Sequence, residues 1–186
     1  MNSYFAKQPI LDSEGETYGY ELLYRNSTTM RSYDGIDGDK STAGVINSVF
    51  FEDNYNKVLH GKMAFLNFTE NLLMEKTALL LPKDQVVIEV LETVIASEEI
   101  LERCAELIEN GYLIALDDYV YSYQTAPLLD YCDIVKIDFR IDKDDIEDTA
   151  SKCREAGKLL LAEKIETNGE AEYAKSLGCT LMQGYY

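Results

Sequence analysis

Six short apolar runs, rich in β-branched residues, each end on a polar or ionisable side chain. They are AFLN at Asn67, VVIE at Glu89, LIALDD at Asp117 and Asp118, IVKID at Lys136, LLLAE at Glu163 and LMQ at Gln183. Such runs, flanked by turn-like or helix-like sequence, read as buried strands of a parallel sheet alternating with helices. An α/β barrel gathers the C-terminal ends of these strands at one mouth, where the chemistry of that fold sits. Carboxylates collected in a low-dielectric mouth repel one another and need protons or metal to neutralise them. The pattern therefore predicts a divalent cation.

Two more strands precede these six. Residues 4–25 read as a pair joined at the turn-prone DSEGE, the second being TYGYELLYR. So short a link predicts a hairpin, with the first strand antiparallel to the second. The total is eight strands, a barrel's number, but 186 residues are few for eight full helices as well. The expectation is a trimmed TIM-like (β/α) barrel with its first strand antiparallel, forming a single domain over 1–186. Residues 26–40, polar and glycine-bearing, read as an exposed loop, and a helix is expected from Ser41 to about Leu59. The clearest helix spans Ser97 to Asn110, with Ile100, Leu101, Cys104, Leu107 and Ile108 on one face. Others are expected over DDIEDTASKCREAG and from about Gly169 to Leu177, each closed by a glycine. The short segment between Lys136 and Glu163 suggests that one helix is trimmed there.

A net charge of −17 with only 17 Lys and Arg argues against binding a DNA or RNA duplex, which needs clustered cations. No apolar run approaches the roughly 20 residues needed to span a bilayer, so no membrane association is expected. The N-terminal MNSYFAKQPI has neither a basic leader nor an apolar signal core, and a cytoplasmic location is expected. Cys104, Cys132, Cys153 and Cys179 lack CxxC spacing and read as reduced, packed thiols. The single His60, in VLHGK, reads as a helix-end residue.

With the strands placed, the residues at their ends resemble the EAL-domain phosphodiesterases that act on the bacterial second messenger cyclic di-GMP. The family's Gln-Pro-Ile strand and Glu-Ala-Leu-x-Arg motif correspond to Gln8-Pro9-Ile10 and Glu21-Leu22-Leu23-Tyr24-Arg25. Asn67 matches a strand-end asparagine, Glu89 and Glu92 a Glu-x-x-Glu segment, and Asp117-Asp118-Tyr119 an Asp-Asp-Phe. Lys136-Ile137-Asp138 matches Lys-Ile-Asp, Glu163-Lys164-Ile165-Glu166 matches Glu-Gly-Val-Glu, and Gln183-Gly184-Tyr185 matches Gln-Gly-Tyr. The phrasing YFAKQPI, YGYELLYR, FLNFT and AEKIET looks most like the divergent subgroup in which such a domain precedes an HDOD domain. The family continues beyond Gln-Gly-Tyr, so a domain shortened just after that motif is expected.

The resemblance implies two Mg²⁺ or Mn²⁺ ions and hydrolysis of cyclic di-GMP to pGpG. Glu21, Asn67, Glu89 and Asp117 would bind the first ion, with Asp117 bridging to a second held by Asp118 and Glu163. Lys136, Glu163 and Gln183 would serve catalysis, and Gln8 and Arg25 the substrate. Glu92 would anchor the loop after the Asp-Asp strand, and Glu166 would support the ligands or cap the next helix. A homodimer and a downstream HDOD domain are the implied partners besides cyclic di-GMP. The alternative is a degenerate EAL domain acting as a cyclic di-GMP receptor or protein-interaction module.

Two departures bear on that choice. The family follows Asp-Asp-Phe with a glycine-bearing loop, whereas this chain reads Val120-Tyr121-Ser122-Tyr123-Gln124-Thr125. Neither Val120 nor Tyr121 adopts positive φ cheaply, so the loop is expected to take another course. Lys164 stands where the family has glycine, and depending on its direction would mimic a missing cation, block substrate or point to solvent.

Overall fold

The hairpin expected at the N-terminus is present. β1 (Tyr4–Asp12) runs antiparallel to β2 (Thr17–Arg25), and the Asp12 carboxylate accepts the backbone N–H groups of Glu14 and Glu16, each at 2.9 Å, to close the turn. Then come β3 (Met63–Phe68), β4 (Val86–Val90), β5 (Leu113–Leu116), β6 (Ile134–Asp138), β7 (Leu159–Ile165) and β8 (Leu181–Gly184). In this computed structural model, which describes residues 4–25, 38–51 and 55–185, the eight strands close into a barrel. β2 to β8 pair in parallel, and β1 closes the ring by pairing antiparallel with β8. This is the trimmed TIM-like barrel the sequence predicts.

Helices α1 (Gly38–Ile46), α2 (Tyr55–Leu59), α3 (Glu70–Met74), α4 (Glu98–Glu109), α5 (Lys143–Glu155) and α6 (Asn168–Ser176) fill the connections. α1 begins at Gly38, inside the segment expected to be loop, and runs into a π-helical turn at Asn47–Phe51 instead of continuing as one α-helix. The rest of the expected loop, 26–37, lies outside the described residues. α4 starts where Ser97 accepts the Ile100 N–H, and buries Ile100, Cys104 and Leu107, while Ile108 is exposed at its rim. The trimming falls elsewhere than expected. The β6–β7 connection carries the 13-residue α5, whereas β5 and β6 are joined by the 3₁₀ turn Ala126–Tyr131.

Both faces of β3 to β8 are largely buried, which is why these runs read as continuously apolar. Inside the barrel, Ile10, Phe65, Val87, Ala115, Ile134, Leu161 and Leu181 form a plug. Outside it, strand residues such as Ile88, Ile114, Val135 and Leu160 pack against the helices. Each large aliphatic side chain buried this way stabilises the fold by about 1.5–3 kcal/mol. The four cysteines are free and buried in that outer layer. Burial pushes the Cys104 thiol up to about 11 and those of Cys132, Cys153 and Cys179 up to about 12. Among the described residues no helix is long and apolar enough to cross a membrane.

Candidate active site

Strand side chains alternate faces with a period of two, so the residue two positions beyond each plug residue returns to the barrel interior. From Phe65, Val87, Ala115, Ile134, Leu161 and Leu181 that step leads to Asn67, Glu89, Asp117, Lys136, Glu163 and Gln183. β1 runs the other way, so from Ile10 the step leads back to Gln8, which lies opposite Glu21 of β2. The plug thus carries a polar layer on its C-terminal side. A cavity of about 200 Å³ opens above it, lined by Gln8, Glu21, Leu23, Asp117, Asp118, Lys136, Glu163, Lys164 and Gln183.

Lys136 is the hub of this layer. Its side chain is 1% exposed, and Nζ is ion-paired to Glu89, to Asp117 at 2.7 Å, to Glu163 at 3.0 Å and to Glu21 at 3.7 Å. The mouth therefore carries an internal cation as well as the carboxylates, beyond the protons and metal anticipated from charge alone. Gln183 donates to Glu21 Oε2 at 2.6 Å, and the Asn67 amide reaches Glu21 Oε1 at 3.5 Å. Burial would strip Lys136 of its proton, but Glu89, Glu21, Glu163 and Asp117 together hold it firmly protonated. Burial holds the Glu89 carboxyl well above the usual carboxylate range, with Lys136 offsetting only part. The same cause lifts Glu163 to about 8. At Asp117 burial also pushes upward, but Lys136 overrides it, and the carboxyl lies below its usual range.

Consecutive residues of a regular strand cannot both face the interior. Asp117 and Asp118 do so because Asp118 takes a left-handed backbone conformation, φ 41°, after which the Tyr119 N–H bonds to the Lys136 carbonyl at 2.9 Å. On β7 the pairing with β8 shifts between Ala162 and Ile165, and Lys164 is left-handed at φ 59°. Glu163 and Lys164 consequently both reach the mouth. That irregularity brings the Ile165 backbone against β8, where a Cβ on Gly184 would fall 1.9 Å from the Ile165 carbonyl oxygen. Only glycine fits there. Of the three directions open to Lys164, the structure shows the cation-like one: Nζ lies 3.1 and 3.2 Å from the two oxygens of Asp118 and 2.5 Å from Asp138.

Asn67 does not cap the following helix, since Thr69 caps α3 by accepting the Leu72 N–H. Glu92 is exposed and lines a second cavity, about 260 Å³, with Asp117, Asp118, Tyr119, Val120, Ser122 and Thr125. The loop beyond Asp118 is tied down without glycine: the Tyr121 N–H donates to Thr149 Oγ of α5 at 3.1 Å, and Thr125 Oγ donates to the Val120 carbonyl at 2.8 Å. Glu166 is exposed and pairs with Arg140; Thr167 caps α6 by accepting the Glu170 N–H, and the Glu170 carboxylate completes the capping box by accepting the Thr167 N–H. Arg25 ends β2, with its side chain outside the described residues. His60 is exposed at φ 52° in the turn after α2. Asp138 was not singled out by the strand-end pattern, although its place two residues after Lys136 puts it on the same face.

The oxygens that remain unpaired test whether a metal fits. Glu89 Oε2, Glu163 Oε2, Asn67 Oδ1 and Gln183 Oε1 are buried without a hydrogen-bond donor. Buried acceptors left this way are costly, and an all-oxygen donor set suits a hard divalent cation. One oxygen from each of Asp117, Asp118 and Glu163 also lies within 4.8 Å of the other two. This cluster can hold one divalent metal.

Comparison with known proteins agrees with the geometry. The EAL domain family matches residues 60–186. Cyclic di-GMP phosphodiesterase CdgJ of Vibrio cholerae is 35% identical over 187 residues, covering 99% of this chain and 43% of that protein. Uncharacterized protein YuxH of Bacillus subtilis is 37% identical over 195 residues, covering 100% of this chain and 47% of that protein. The chain thus spans less than half the length of these relatives. The fold is shared with the crystal structure of the Bacillus subtilis YkuI protein, which has an EAL domain and is in complex with substrate c-di-GMP and calcium. That match has a TM-score of 0.78 at 24% identity, covering 98% of this chain and 53% of that one. With the family matched over the strands that build six sides of the mouth, this chain belongs to the EAL domain family.

Proposed function

We propose that the domain hydrolyses cyclic di-GMP to pGpG in a metal-dependent reaction, within bacterial second-messenger signalling. The observation that carries this is the state of the mouth: Lys136 sits among four carboxylates while further oxygens of the same layer stay buried and unpaired. The name of the Vibrio relative supports the choice of substrate.

In this reading Glu21, Asn67, Glu89 and Asp117 hold one Mg²⁺ or Mn²⁺, and Asp117, Asp118 and Glu163 offer ligands to a second. Divalent ions so placed supply Lewis acidity that sharpens a water nucleophile and neutralises charge on the phosphoryl oxygens. Lys136, held protonated, donates hydrogen bonds and charge and is not the base. Gln183, fixed on Glu21, keeps an acceptor oxygen free to orient the attacking water. Glu163 presents a carboxyl oxygen for the water's proton, and Gln8, half-buried at the rim, together with Arg25 grips the substrate. The water's hydroxyl joins the phosphate as one P–O ester bond breaks, and the proton the water gives up at Glu163 is balanced by one delivered to the leaving ester oxygen, which departs as a hydroxyl.

The same reading takes residues 1–186 as a single EAL-like domain of a cytoplasmic protein that pairs as a homodimer. It places the domain in the subgroup joined to a downstream HDOD domain, on the strength of phrases such as AEKIET. Light scattering on the purified chain checks the dimer.

A second reading is favoured by Lys164 on Asp118 and by the glycine-free loop: a degenerate domain that binds cyclic di-GMP, or a partner protein, without turnover. Chromatography of nucleotides after incubation with cyclic di-GMP and Mn²⁺ or Mg²⁺ separates the two. The first predicts pGpG from the parent and none from Asp117→Ala. Bound, uncleaved cyclic di-GMP at enzyme concentrations comparable to substrate would overturn it in favour of the second.

A further inference from the structure

The polar atoms of the mouth are not evenly satisfied. In the deep half, Glu89, Glu163, Asn67 and Gln183 each keep a buried oxygen without a donor. In the outer half the carboxylates already have a cation, because the Lys164 ammonium contacts both oxygens of Asp118 and one of Asp138 and offsets part of their charge. The backbone is bent to allow this, with Lys164 and Asp118 both left-handed and facing each other across the mouth. A side chain at φ 59° is strained where glycine would be relaxed, so the position is costly unless the ammonium is used.

We propose that Lys164 is a built-in cation occupying the outer charge position of the mouth, so that the site binds one divalent ion tightly in its deep half and a second only weakly. A second ion at Asp117, Asp118 and Glu163 must first displace Nζ from Asp118, exchanging charge-assisted hydrogen bonds for coordination. The deep ion shares Glu21, Glu89 and Asp117 with Lys136, but Lys136 takes one oxygen of each and leaves Glu89 Oε2 and Asn67 Oδ1 unpartnered, so the ion finds ligand atoms there without displacing Nζ. The inference deepens the proposed function, since it rests on the mouth being a metal site, but it does not require turnover.

The test is a Mn²⁺ titration of chelator-stripped protein, with free Mn²⁺ read by electron paramagnetic resonance. The parent is expected to take one ion per chain tightly and a second at least about tenfold more weakly. Lys164→Gly and Lys164→Asn, residues that accept positive φ, are expected to tighten the second ion by about tenfold or more and leave the first unchanged. Lys164→Arg, which keeps the charge, is expected to stay like the parent. Two ions of equal affinity in the parent, no binding at all, or affinities that Lys164→Gly does not alter would each overturn the proposal. A parent that makes no pGpG while Lys164→Gly gains the second ion would refute the phosphodiesterase reading and leave this one standing.

Discussion

Replacing Lys136 by methionine keeps much of the side-chain volume and removes the one charge at the centre of the polar layer. Breaking a buried ion pair by deleting one partner costs about 3–5 kcal/mol, because the other charge is left buried and alone. Four carboxylates lose a partner here, but the cost does not multiply by four. Burial already holds the Glu89 carboxyl well above its usual range and lifts Glu163 to about 8, so both shed charge readily. The remaining cost falls chiefly on Asp117, 2.7 Å from Nζ, whose carboxyl Lys136 holds below its usual range. The single-pair range therefore applies. For a chain of 186 residues the unfolding entropy is roughly 0.4 kcal/mol per kelvin, so Lys136→Met should lower Tm by about 8–13 °C in chelator. A divalent ion can replace the missing charge, and at a hundredfold excess over its Kd it returns about 2.7 kcal/mol. Calorimetry or circular dichroism with and without Mn²⁺ reads both effects, and the Mn²⁺-induced rise should be larger for the variant than for the parent. A variant that melts within about 2 °C of the parent in chelator, or that gains no more from Mn²⁺, would refute the picture of Lys136 as the electrostatic keystone.

Gly184→Ala must push the Ile165 backbone away from β8, so urea unfolding should show a loss at or beyond the about 1–3 kcal/mol of ordinary overpacking. Gly169→Ala, whose new Cβ would meet nothing nearer than 3.9 Å, is the control and should lie near the parent. The four thiols should resist a thiol-specific dye at pH 8 in the native state and react fully once denatured, because burial holds them protonated to about 11–12. Their raised folded pKa values also set a sign: this contribution to stability is complete below about pH 9, the unfolded range, and is lost as pH rises through 11–12. A urea midpoint that does not fall between pH 8 and pH 10.5 would contradict it. Tyr112→Phe removes a buried 2.8 Å hydrogen bond to the Leu81 carbonyl and should cost about 0.5–1.5 kcal/mol in the same assay.

The strands and the site were legible for one reason: the alternation of a half-polar barrel interior writes the plug residue and the mouth residue two apart in every run. Val87 and Glu89, or Leu161 and Glu163, carry fold and site in the same few letters. What the sequence hid lay where that alternation breaks. A left-handed backbone at Asp118 and Lys164 turns two neighbouring side chains the same way, and no local composition announces it. Asp138 stands in the Lys-Ile-Asp match, but its pairing with Lys164 depends on that break and no spacing announces it. The trimmed connection lies elsewhere than the sequence suggests because the β6–β7 segment looks short yet holds α5 with tight turns, while the β5–β6 link gives its residues to the loop fixed by Thr149 and Thr125. Glu170 rather than Glu166 completes the capping box of α6 because that box is set by distance from the N-cap Thr167, not by distance from Glu163.

The most direct test of the account is anomalous diffraction from crystals soaked in Mn²⁺ and cyclic di-GMP. Mn²⁺ is expected within coordination distance of Asp117 and Glu89 at the C-terminal mouth of the barrel, with a phosphate of the nucleotide bound beside it. Nucleotide or metal seated elsewhere on the surface, with Lys136 and its four carboxylates untouched, would contradict it.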